Sequence, residues 1–199
     1  SEMCIRDRLK DIHSAQAVRP DAIIACMHWG EEYQSLPNRE QRELADWLLE
    51  QGVTHIIGSH PHVIQPMELR EEGNRQHAVV YSLGNFISNM SAANTDGGLI
   101  FTLQLEKYPL PSPIHPLQGR LSYSPLPDSF IPSFPFSRVA QCGYTLVWTA
   151  RPTLTGGKNY ILYPSYSPID QLPQAARNRL NIFTKNSREF LFKLSLIHI

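Results

Sequence analysis

Residues 53–62, VTHIIGSHPH, decide how this chain is read. Residues 53–58 form a short apolar run that opens after Gly52 and closes on Gly58. Such a run suits a strand buried in a sheet. Gly58 relieves crowding where the strand leaves the sheet, and two histidines follow at once. Upstream, residues 21–28 (DAIIACMH) make a second apolar run that also ends on a histidine. It is expected to be a strand buried on both faces, with Cys26 as a small core residue. Between the runs, residues 37–51 carry a helical pattern, with Leu44, Trp47 and Leu48 at i, i+3, i+4. Asn38 and Gln41 offer a capping box at its start, and Gly52 is placed to end it. Strand, helix and strand at this spacing predict a βαβ unit with a parallel pair.

Downstream, residues 78–83 (AVVYSL) read as a third strand and residues 98–105 (GLIFTLQL) as a fourth with cleaner alternation. Residues 108–136 hold half of the chain's 16 prolines and no period, which predicts an irregular surface insert. Residues 143–150 and 160–163 read as strands around a turn at Gly156-Gly157. Residues 170–193 read as a helix with Leu180, Phe183, Phe190 and Leu191 as its apolar residues. Residues 1–8 (SEMCIRDR) and 194–199 (LSLIHI) follow no pattern of the chain between them and are read as linker sequence foreign to the fold. Residues 9–193 are then one partial domain.

Composition narrows the function. In 199 residues, 42% are hydrophobic and 18% charged, which fits a globular domain with a core. Eighteen basic residues balance 18 acidic ones with no basic stripe, which argues against a nucleic-acid partner. Cys4, Cys26 and Cys142 make no CxxC pair and no even framework.

The chemistry follows the histidines. His28 ends the first strand, in HWGEEY, and His60 and His62 follow the second, in GSHPH. In an open α/β sheet, ligands bind outside the carboxyl ends of the strands. Three imidazoles therefore converge there, as candidate catalytic and metal-ligating residues for Zn, Mn or Fe. Residues i and i+2 of an extended segment point the same way, and Pro61 biases His60 to extended backbone. Glu32 either orients a ligand imidazole or is a solvated loop acid. Ser82, Gly84 and Asn85, in SLGNF, lie at the same sheet edge. Asn85 either hydrogen-bonds a phosphate or the site's backbone, or forms an Asx turn. Trp29 and Tyr33 wall a pocket or belong to the core. Asp96 reads as a turn former and His55 as a packed residue. His13, His77 and His115 have no companions and no assigned role.

HWGEEY, GSHPHVIQPME and YSLGNF, in this order and with ELADWLLEQG between the first two, resemble the CapA or poly-γ-glutamate capsule-synthesis family, a branch of the calcineurin-like metallophosphoesterases. The resemblance covers roughly residues 20–105. It implies the C-terminal half of a four-layer αββα sandwich with a two-metal centre at the strand ends. His28 matches the family's isolated metal-ligating histidine, His60 and His62 its closing His-x-His pair, and Gly84 and Asn85 its SLGN turn. The aspartate and Asn-His motifs of the family's N-terminal half are missing from residues 1–20, so the chain is expected to be an inactive fragment. For the parent, the resemblance implies a metal-dependent hydrolase of an anionic polymer or phosphoester in capsule production, membrane-anchored or exported. The alternative is a non-catalytic polymer-binding or assembly subunit of a membrane capsule-synthesis complex.

Overall fold

The two apolar runs become neighbouring parallel strands. A computed structural model of the chain describes residues 2–72, 75–90, 92–107 and 137–195, with backbone alone for residues 2–6. Helix α1 (Glu2–Ala17) precedes β1 (Ile24–His28), α2 (Arg39–Glu50) and β2 (His55–Ser59). A hairpin of β3 (Met67–Glu72) and β4 (Arg75–Val80) follows. These strands form one sheet in the order β1-β2-β4-β3. β1 runs parallel to β2, β2 parallel to β4, and β3 antiparallel to β4. A second sheet, in the order β5-β6-β7, joins β5 (Gly97–Lys107), β6 (Ser137–Ala150) and β7 (Ile161–Pro164), all antiparallel. The short α3 (Pro152–Thr155) lies between β6 and β7, and Gly156 closes it at φ +71°. Helix α4 (Gln174–Leu194) ends the described chain.

Period-two alternation divides the core. On β2, Ile56 faces a cluster with Ile12 of α1, Ala45 and Leu48 of α2, Val79 and Tyr81. Its neighbour Ile57 faces the other way, towards a larger cluster of Met67, Val80, Leu99, Leu146, Trp148 and the α4 residues Leu180, Phe183 and Leu191. Helices thus cover one face of the first sheet, and the second sheet packs on the other. The expected α/β sandwich is present. Asn38 caps α2 as the sequence indicates: its Oδ1 accepts from Gln41 N at 2.9 Å, and Gln41 Oε1 accepts from Asn38 N at 3.1 Å.

Several expectations need correction. β1 is an edge strand with alternating exposed and half-buried residues, because β2 is its only partner among the described residues. Cys26 is accordingly exposed instead of a core residue. Asp96 is no simple turn former. It is 2% exposed, and its Oδ2 accepts from Trp148 Nε1 at 2.9 Å and Arg179 Nε at 2.6 Å, tying α4 to the second sheet. The proline-rich segment 108–136 and residues 196–199 lie outside the described residues. The antiparallel β3–β4 pair adds to the strands expected from the sequence.

Candidate metal centre

The site is built where β1, β2 and the SLGN turn come together. Trp29, the residue after β1, is buried and its Nε1 donates to Tyr81 O at 2.8 Å. To get there the indole passes over Gly58. A Cβ at that position would stand 2.1 Å from Tyr81 O and 2.4 Å from Trp29 Nε1, so only glycine fits. Trp29 is therefore core, and it fixes the start of the loop that carries Glu32 and Tyr33. A buried amide chain braces that loop from behind: Gln41 Nε2 donates to Gln65 Oε1 at 2.9 Å, and Gln65 Nε2 to Gln34 O at 2.9 Å. Tyr33 N donates to Pro61 O at 2.8 Å, which fastens this loop to the one bearing the two histidines.

The histidine loop is not extended as the sequence suggested. His60 has φ +106° and His62 φ +63°, and Tyr33 across from them has φ +66°. Residues other than glycine rarely occupy this half of the backbone map. Each such residue costs on the order of 1–3 kcal/mol and persists only where its surroundings impose it. Three of the five positive-φ residues other than glycine among those described thus lie in this small region. Pro61 does not keep His60 extended, because the chain must turn sharply out of β2 towards the Ile64–Leu83 bridge.

One ligand atom each from Glu32, His60 and His62 lies within 4.8 Å of the others. His62 Nε2 is 3.8 Å from Glu32 Oε1, beyond hydrogen-bond range. Ligand atoms sharing a tetrahedral zinc at about 2.1 Å stand roughly 3.4 Å apart, so the three must draw together to share a cation, by about 0.4 Å for His62 Nε2 and Glu32 Oε1. One carboxylate and two imidazoles are a suitable donor set for zinc, manganese or iron. The His62 side chain is 33% exposed and Glu32 49%, so an ion can enter from solvent. Tyr33 stacks on the His62 ring at 6.1 Å and 27°. Partial desolvation, then the neighbouring Glu32 carboxylate, pushes the Tyr33 phenol above its usual range.

The remaining candidates take different places. His28 packs its ring 4.4 Å from that of His60 without joining the close group of ligand atoms. Asn85 Oδ1 meets His62 Nδ1 at 2.9 Å. Ser82 is fully buried and its Oγ accepts from Gly84 N at 3.2 Å, so its hydroxyl serves the turn. Gly84 has φ +73°, and a Cβ there would stand 3.0 Å from both Gly97 O and Gly98 Cα. The turn thus lies directly against the second sheet. Gln41, beyond its part in the cap of α2, and Gln65, to which the sequence assigns no role, hold the site from within. The signal for Gln65 is a lone amide within the apolar stretch VIQPM, residues 63–67. An apolar cleft of about 540 Å³ opens beside the site, bordered by Ser59, Asn85, Ile57, Leu99 and Phe101.

Residues 6–90 match the family described as bacterial capsule synthesis protein PGA_cap. The chain is 34% identical over 87 residues to the PGA biosynthesis protein CapA of Bacillus subtilis (strain 168), which is 44% of this chain and 22% of that protein. It is 36% identical over 81 residues to the capsule biosynthesis protein CapA of Bacillus anthracis, which is 40% of this chain and 19% of that protein. The chain therefore matches about a fifth of each of these relatives. The matched segment includes β1, α2, β2 and the residues Glu32, His60 and His62.

Proposed function

On the premise of that family match, we propose that the chain supplies the His-x-His side of a divalent-metal centre in a capsule biosynthesis protein, and that the whole protein is a metal-dependent hydrolase. The observation that carries this reading is the group of Glu32, His60 and His62 at the strand ends, with both histidines on strained backbone. A bound divalent ion would lower the pKa of a water and polarise the attacked centre. The chain's own part is to hold two neutral imidazoles and one carboxylate at fixed separation, with Tyr33 shielding one flank of His62. His28, against His60 and facing outward, is placed to hold or deliver a proton at the edge of the site. A second ion would need donors beyond this group. The substrate fitting this chemistry is an anionic polymer or phosphoester of the capsule.

The test uses the 199-residue chain. Equilibrated with Zn2+ or Mn2+ and desalted, it should retain about one ion per chain by elemental analysis, in line with a single group of three ligands. His60→Ala combined with His62→Ala should abolish retention while the circular dichroism spectrum stays that of the parent. Equal retention by the double variant, or none by the parent chain, would sink the metal reading.

A further inference from the structure

His62 has two ring nitrogens, and only one can face the cation group. Nε2 does so, 3.8 Å from Glu32 Oε1. Nδ1 points the other way, 2.9 Å from Asn85 Oδ1. The Asn85 amide is itself fixed, because its Nδ2 donates to Thr95 O at 2.8 Å and lies 3.5 Å from Met90 Sδ. A backbone carbonyl can only accept, so the NH2 group must lie on the Thr95 side and the oxygen on the His62 side. An amide oxygen can only accept as well. The proton in the His62–Asn85 contact therefore belongs to Nδ1.

The geometry points to Asn85 as a positioning residue that locks His62 in its Nδ1-protonated tautomer and so presents the Nε2 lone pair to the Glu32–His60 group. A free imidazole divides itself between two tautomers, and only one of them has its lone pair where this site needs it. The hydrogen bond made by the non-ligating nitrogen decides which form is present and orients the ring. The backbone of Asn85 is held too: its N–H donates to Gly97 O at 3.1 Å. The amide thus starts from the second sheet and reaches across to a histidine on the first. This role rests on the metal reading for its purpose, but the tautomer itself is a property of the metal-free chain.

That separation makes the test clean. Long-range 1H–15N correlation spectra of the metal-free chain, with His62 assigned by mutation, should show an Nδ1-protonated ring. A ring protonated at Nε2 overturns the proposal whatever the chain does with metal. In Asn85→Asp the acceptor remains and the same tautomer should persist. In Asn85→Leu the acceptor is gone and the Nε2-protonated form should appear; unchanged tautomer populations in folded Asn85→Leu would also overturn the assignment. Zinc affinity, read by competition with a chromophoric chelator, should fall about 10- to 100-fold in Asn85→Leu, the usual effect of losing a partner to a ligand histidine, and recover in Asn85→Asp. Failure of the unmodified chain to bind zinc, with the Nδ1 tautomer intact, would sink the metal reading and leave the Asn85 assignment standing.

Discussion

Strand β2 carries histidines at both ends, and they live opposite lives. At its amino end, His55 is 1% exposed and His77 beside it 4%. His55 Nδ1 accepts from Ala78 N at 3.1 Å, and His77 Nδ1 meets the Thr54 carbonyl at 2.9 Å. Neither Nε2 has a partner among the described residues. Just past the carboxyl end, His60 and His62 are half-exposed, sit on strained backbone and share a carboxylate neighbour. The same side chain is thus a buried spacer at one end of a parallel strand and a ligand candidate at the other. Distance along the strand and packing decide which, since helices and neighbouring strands enclose the amino end while loops leave the carboxyl end open.

The sharpest way to break this contrast is through the strand that joins the two ends. Gly58→Ala drives a methyl into Tyr81 O and the Trp29 indole. Loss of the buried Trp29–Tyr81 hydrogen bond together with overpacking should cost about 3 kcal/mol or more. Denaturant unfolding measures it, and a loss under 1 kcal/mol would mean that the loop does not depend on this crossing.

Acid tests the buried end. Burial, and after it the neighbouring His77, holds the His55 pKa down at about 4 against an ordinary value of 6.5. Between those values the unfolded chain binds a proton that the folded chain refuses. Stability from this residue is therefore complete above pH 6.5 and is lost as the pH falls towards 4, by about 3 kcal/mol in all. Unfolding curves between pH 4.5 and 7 should show that slope, and His60→Ala with His62→Ala should keep it. A slope that vanished with the exposed pair would assign the acid sensitivity to the wrong end.

The smallest effect has the opposite sign. His60→Gly relieves the φ of +106°. Strain relief of about 1–3 kcal/mol less the entropic cost of glycine should leave a gain of about 1 kcal/mol, together with loss of metal retention. A destabilised His60→Gly would show that the side chain holds the fold and is not held by it.

The frame was legible in residues 21–58 because a capped amphipathic helix between two apolar runs leaves few alternatives. Asn38, Gln41 and Gly52 each do what their chemistry indicates. Period alone could not show that β1 lies at a sheet edge, since an apolar run looks the same with one face covered or two. The candidate residues were also legible, but their geometry was not. Extended backbone was the natural reading of His-Pro-His, and only the turn towards Ile64 explains why both histidines have positive φ. Asp96 hid its ion pair for a related reason: Arg179, its partner, is 83 residues away.

The SLGN turn is a stitch between the sheets. Leu83 N donates to Gly58 O of the first sheet at 3.1 Å, while Leu83 O accepts from Leu99 N of the second at 2.8 Å. Two residues on, Asn85 takes its backbone bond from the second sheet and gives its side chain to a histidine of the first. The sheets cannot slide past one another without stretching that contact. Movement between the sheets is therefore carried to the His62 imidazole through a single side-chain amide.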